Sequence, residues 1–194
     1  MPLDMHLHLR DEDMLKIVAP LTSYSFSGAI VMPNLVPPVT TIEAVKAYRH
    51  RIKEAMEADD FEPYMTLFYQ HYSREFLESA RDHITAVKIY PSGATTNSEG
   101  GVVNFDIEPM RETLEAMSDL GIVLCVHGET MGFVMDREAE FMSVYEMLAS
   151  NFPKLKINRE HITTRDAVDM LDRYENLYAP ITVHHLMVTL DDVA

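Results

Sequence analysis

The chain has 194 residues, 47% of them hydrophobic, enough to bury a sizeable core and unlike a disordered sequence. Lysines and arginines number 16 against 31 aspartates and glutamates, and the formal charge of −15 argues against nucleic acid or an anionic membrane surface as a partner. The lone cysteine, Cys125, sits in an apolar run and reads as a buried reduced thiol; no export signal or bilayer-length apolar run is seen, so a reducing cytoplasm is expected.

The first expected strand, Met5–Leu9, lies within Asp4-Met5-His6-Leu7-His8-Leu9-Arg10. Alternation puts Met5, Leu7 and Leu9 on one side and Asp4, His6, His8 and Arg10 on the other. Two imidazoles at i and i+2 on one strand face project in parallel and can reach one divalent ion. A half-exposed strand with hydrated side chains is the alternative. A second strand, Ala29–Met32, precedes a helix opened by Thr40-x-x-Glu43, a capping box, with Val45, Tyr48, Ile52 and Ala55 on one face.

Met65–Tyr69 and Ala86–Tyr90 read as further buried strands, and the second carries Lys88 where an apolar residue belongs. Burying an unpaired ammonium costs several kcal/mol, and desolvation favours the neutral amine, which can react with carbon dioxide to give a carbamate able to bridge two cations. Snorkelling to solvent is the alternative. Pro91–Asn104 lacks periodicity and reads as a functional loop, followed by a helix with Ile107, Met110, Leu114 and Met117 on one face, ending before Gly121.

Ile122–His127 and Leu155–His161 are strands that each end in a histidine, with a second aperiodic loop, Gly128–Met135, and a helix, Asp136–Ala149, between them. A further helix, Thr164–Tyr174, is opened by Thr163 or Thr164, and Ile181–Leu186 is the seventh expected strand. His184 and His185 end that run, whereas His50, His71 and His83 fall in helical or loop context and read as solvated. The 14 methionines read as core filling. The strand and helix rhythm has no linker, so residues 1–194 form one α/β domain. Four histidines and a lysine recur at equivalent places in successive βα units, where parallel barrels carry their chemistry.

Asp4-Met5-His6-Leu7-His8-Leu9-Arg10-Asp11, Met32-Pro33-Asn34-Leu35, Lys88-Ile89-Tyr90-Pro91, Ala94-Thr95-Thr96-Asn97-Ser98, Val126-His127-Gly128-Glu129 and Glu160-His161-Ile162-Thr163-Thr164 together resemble the bacterial dihydroorotases of the shorter, monofunctional type. The resemblance implies a (β/α)8 barrel of the amidohydrolase superfamily, with two divalent ions, expected to be zinc, bridged by N6-carboxylated Lys88 at the C-terminal mouth. It assigns His6 and His8 to one metal, His127 and His161 to the other, Arg10 and Asn34 to the substrate α-carboxylate, and Thr95 and Thr96 to a loop that closes over substrate.

The activity so implied is the reversible cyclisation of N-carbamoyl-L-aspartate to L-dihydroorotate in pyrimidine biosynthesis, with a small-molecule substrate and a homodimeric assembly. The family also uses an eighth-strand aspartate as general acid and base. Asp191 and Asp192 follow the seventh expected strand and read as solvated, so the chain is expected to be C-terminally incomplete, with seven strands and no general acid of its own. Other readings are a related cyclic amidase or deaminase, against which Arg10 and Asn34 speak, and a metal-binding barrel fragment without catalysis.

Overall fold

The computed structural model describes residues 1–56 and 60–193. Seven strands form one parallel sheet in chain order: β1 (Leu3–Leu7), β2 (Gly28–Val31), β3 (Glu62–Phe68), β4 (Ala86–Ile89), β5 (Val123–Val126), β6 (Ile157–Arg159) and β7 (Leu177–Tyr178). The helices are α1 (Glu12–Ser23), α2 (Ile42–Ala55), α3 (Arg74–Ala80), α4 (Ile107–Leu120), α5 (Arg137–Glu140), α6 (Met142–Asn151), α7 (Arg165–Leu171), α8 (Val183–Met187) and α9 (Leu190–Val193).

The sheet curls. His6 of β1 touches Glu160, just past β6, although five strand spacings of about 4.8 Å would hold those strands roughly 24 Å apart in a flat sheet. Consecutive strands pair parallel from β1 to β7, so the architecture is the expected (β/α) barrel, open between its first and seventh strands.

Alternation along each strand separates two interiors. Met65, Leu67, Val87, Ile89, Leu124, Val126 and Ile157 join helix residues such as Val45, Ile52, Leu77, Leu114 and Leu148 in one apolar cluster. The intervening Thr66, Ala86, Lys88, Cys125 and Asn158 are also buried but lie outside that cluster, on the inner side of the curl. Cys125 is a buried free thiol, as expected.

Local signals place several helix ends. Gly121 closes α4 with φ 71° and its N–H bonded back to Met117 and Ser118, a left-handed cap that other residues adopt at a cost. Thr164 caps α7 through its hydroxyl. The capping residue of α2 is Thr41, which accepts from Ala44 N–H at 3.1 Å, and not Thr40; adjacent threonines offer the same chemistry one residue apart. The segment expected as one helix over Asp136–Ala149 is two, α5 and α6.

The seventh strand is a larger correction. Ile181–Leu186 is not a strand: α8 runs through it, and β7 is the two-residue Leu177–Tyr178, paired with Ile157 and Asn158. A short apolar run does not distinguish strand from helix by periodicity. His184 and His185 therefore lie on α8, and Asp191 and Asp192 are exposed on α9. No described helix is long and apolar enough to cross a membrane.

Candidate active site

His6 lies on β1 and His8 just past its end, so strand alternation points both imidazoles to the inner side of the curl. Their Nε2 atoms stand 3.1 Å apart. Burial is the main force holding the His8 pKa down to about 3, helped by the charges of His6, Arg10 and Lys88. His8 is therefore neutral near pH 7, with a nitrogen lone pair to offer.

Lys88 stands on β4, paired in register with Phe68 and Cys125, and is fully buried. It does not snorkel. Its Nζ makes no hydrogen bond among the described residues, lying 3.9 Å from Glu160 Oε1 and 5.1 Å from the centre of the Tyr90 ring. Burial pulls its pKa below the ordinary lysine range, opposed by the negative charge of Glu160.

His127 follows β5 and its Nδ1 faces His161 Nε2 at 3.0 Å. His161 is held by a backbone device. Beyond β6, alternation alone would turn Arg159 and His161 outward together, and Arg159 does pack outward, against Tyr145 and the Ala167 carbonyl. At His161 the chain enters the left-handed region with φ 40°, and the ring turns in to lie 4.7 Å from the His127 ring and 5.4 Å from the His6 ring, centre to centre. Burial depresses the His161 pKa to about 2, with Lys88, His127 and His6 adding to the effect.

The structure thus gathers His6, His8, Lys88, His127 and His161 from four strands at one rim. It also gathers a residue to which sequence reasoning gave no role. Glu160 is buried, touches His6 Nδ1, and accepts from Asn158 Nδ2 at 2.8 Å. Burial would raise its pKa, but Lys88 and the His6 bond outweigh that and hold the carboxyl below its usual range. The signal was present: Asn158 and Glu160 are polar at i and i+2 in a buried strand run, as His6 and His8 are.

Arg10, with φ 58°, accepts from the Tyr48 hydroxyl through its carbonyl at 2.7 Å, while its guanidinium makes no hydrogen bond or ion pair among the described residues and lowers the His8 pKa from nearby. Its neighbour Asp11 instead pairs with Arg51 through two bonds of 2.9 and 2.7 Å. Asn34 is buried and spends its amide on the loop after β4: Nδ2 donates to the Thr96 carbonyl at 2.9 Å and Oδ1 accepts from the Tyr90 hydroxyl at 3.0 Å. Asn97 Nδ2 returns a bond to the Asn34 carbonyl at 3.1 Å.

Thr95 and Thr96 ride on that loop, with hydroxyls that donate no hydrogen bond among the described residues. The base of the loop is anchored where Gly101 approaches the Tyr90 carbonyl so closely that a β-carbon would sit 2.3 Å away. A cavity of 580 Å³ opens beside the cluster, lined by His6, His8, His161, Met5, Ile181 and His184.

Two facing imidazole nitrogens about 3 Å apart need either a shared hydrogen or a cation between them. Both pairs contain a histidine that burial keeps neutral, and the buried Lys88 amine without a hydrogen bond lies among them, so the donor chemistry suits metal binding. Among the described residues no three His, Cys, Asp or Glu side chains are already set around one ion.

The chain is similar to known proteins along nearly all its length. A family model described as the amidohydrolase family matches residues 3–176. A dihydroorotase from Rhizobium rhizogenes is 47% identical over 96% of this chain and 56% of its own length. A crystal structure of a dihydroorotase from Campylobacter jejuni superposes with a TM-score of 0.97 at 58% identity, covering 99% of this chain and 57% of that one. A dihydroorotase from Saccharomyces cerevisiae, crystallised with 5-fluoroorotic acid, gives a TM-score of 0.91 at 31% identity over 100% of this chain and 59% of that one. The chain therefore spans somewhat over half the length of the relatives it matches.

Proposed function

We propose, from the premise that this chain belongs to the amidohydrolase family, that in its complete protein it carries the metal-holding part of a dihydroorotase interconverting N-carbamoyl-L-aspartate and L-dihydroorotate. The observation that carries the reading is the convergence of four imidazoles on a buried lysine that makes no hydrogen bond among the described residues, at the strand ends where barrels keep their chemistry. Relatives named dihydroorotase, matched along nearly the whole chain, support the choice of substrate.

In this reading His6 and His8 hold one divalent ion, expected to be zinc, and His127 and His161 hold a second. Lys88, once carboxylated on Nζ, would supply an oxygen donor to the ions, and its carbamate would make burial of the lysine tolerable by placing negative charge among cations. When bound, the ions polarise the ring amide carbonyl and lower the pKa of water.

The chain's other residues orient the substrate. Arg10 presents a guanidinium fork that makes no hydrogen bond or ion pair among the described residues, suited to the α-carboxylate through two N–H donors. Asn34 joins it once its amide is released from the Thr96 carbonyl. Thr95 and Thr96 bring their hydroxyls over the substrate as the loop closes, excluding water. No residue of this chain is assigned the general acid and base.

The test uses the full-length protein. Two zinc ions per chain, the added mass of a carboxylate group on the Lys88 peptide and turnover of dihydroorotate are expected. Metal-free protein that hydrolyses dihydroorotate equally well would end the reading.

A further inference from the structure

Glu160 is a buried carboxylate placed to make hydrogen bonds, with both oxygens engaged. Oε2 contacts His6 Nδ1, Oε1 accepts from Asn158 Nδ2 at 2.8 Å, and the side chain has no exposed surface. Such burial is costly unless the charge is compensated. Here the compensation comes from the Asn158 amide on Oε1 and from His6 Nδ1 on Oε2.

Oε1 is occupied by the Asn158 N–H and Oε2 faces Nδ1, so a hydrogen on His6 Nδ1 satisfies the contact and leaves the Nε2 lone pair facing His8 Nε2, 3.1 Å away. With the opposite tautomer, Nδ1 and Oε2 would be two acceptors in contact and Nε2 would carry a hydrogen into the cluster. Asn158 lies two residues upstream on the same side of the chain and holds the carboxylate from behind. A relay thus runs Asn158 to Glu160 to His6 across the curl, from β6 to β1.

We propose that Glu160 is a positioning residue that locks His6 in its Nδ1-protonated tautomer and rotamer, so that Nε2 is delivered as a donor beside His8. This rests on the reading of His6 and His8 as metal ligands. It assigns Glu160 no contact with metal or substrate, and its action passes through His6. Carboxylates that orient a ligating histidine contribute roughly ten- to hundredfold in metal affinity.

The experiment compares full-length wild type, Glu160→Gln, Glu160→Ala and His6→Ala by zinc competition with a chromophoric chelator, reading the two sites separately. Glu160→Ala should weaken one site by roughly ten- to hundredfold and spare the other. Glu160→Gln, whose amide oxygen can still accept from Nδ1, should fall between it and wild type. Adding Glu160→Ala to His6→Ala should cause no further loss. Equal weakening of both sites in step with a lower melting temperature of the metal-free protein would overturn the proposal, as would unchanged affinities.

Should the variants not fold, nitrogen NMR of the histidine rings in metal-free wild type answers the same question. Protonation at His6 Nδ1 is expected, and protonation at Nε2 overturns the proposal. Wild-type protein that takes up no zinc would remove the metal reading and this inference together. Zinc uptake with an Nε2-protonated His6 in the metal-free state would remove this inference alone.

Discussion

The two faces of the curled sheet are built from the same short strands and hold opposite kinds of residue. Outward, Val87, Ile89, Leu124, Val126 and Ile157 pack against the helices in one apolar cluster. Inward, one residue along, stand Lys88, Cys125 and Asn158, with His127 and Glu160 just past the strand ends. Both faces are buried, yet only the outer one gains from the hydrophobic effect. The inner face carries polar groups whose desolvation must be offset by one another or by a ligand. A parallel strand can therefore serve stability and chemistry at once, because its period of two keeps those tasks on alternate residues.

That division can be broken at Lys88. Lys88→Ala in the full-length protein is expected to lose about a thousandfold or more in dihydroorotate turnover, on the order of the several kcal/mol that metal ions contribute, together with its bound zinc. Stripping wild type with a chelator should give the same loss, reversed by adding zinc. Undiminished turnover by Lys88→Ala would mean that the inner face does not carry the reaction.

The outer face should respond in stability instead. Leu124→Ala, one residue from Cys125 and fully buried, is expected to cost about 2–5 kcal/mol in unfolding free energy, measured by urea titration. Zinc per folded molecule should stay at the wild-type value. Loss of zinc without loss of stability would blur the two faces.

Arg10 sharpens the comparison at the rim. Arg10→Lys keeps the charge but gives up the two-pronged fork, and its Michaelis constant for dihydroorotate should rise roughly ten- to hundredfold, as expected for losing about 1.5–3 kcal/mol of charged hydrogen bonding. Its melting temperature should not move, since the guanidinium makes no ion pair among the described residues.

The smallest effect belongs to a pair outside both faces. Burial would raise the Asp11 pKa, but its bonds with Arg51 outweigh that and hold it below the ordinary carboxylate value. Because the folded-state pKa is depressed, the pair's contribution is fully present above the unfolded value and fades as pH falls through the folded one. Arg51→Met should cost under about 1 kcal/mol at neutral pH, and the difference from wild type should vanish in acid unfolding measurements carried well below pH 4.

Much of the barrel was legible because its signals are local. Buried β-branched runs located β2, β4 and β5 to within a residue or so, since a strand covered on both faces has to be apolar almost throughout. Lys88 stood out for the same reason. The seventh strand was not legible: Leu177–Tyr178 is too short to carry a pattern, and Val183–Met187 has strand-like composition but folds as a helix. Glu160 carried the same i, i+2 polar signal with Asn158 as His6 does with His8, but the partner that gives it a role, His6, lies on a strand five places away in the sheet.

By itself the chain's order of residues determined which side chains are polar where an apolar one was due, and on which side of a strand alternation would put them. It did not determine which of them meet. His6 and His161 are far apart along the chain, on the first strand and just past the sixth, and their rings are 5.4 Å apart only because the sheet curls. The inward turn of His161 likewise needs a left-handed backbone that no local preference of histidine requires. Curvature and that one dihedral are settled by the packing of helices around the whole sheet, so the convergence of the site belongs to the tertiary structure.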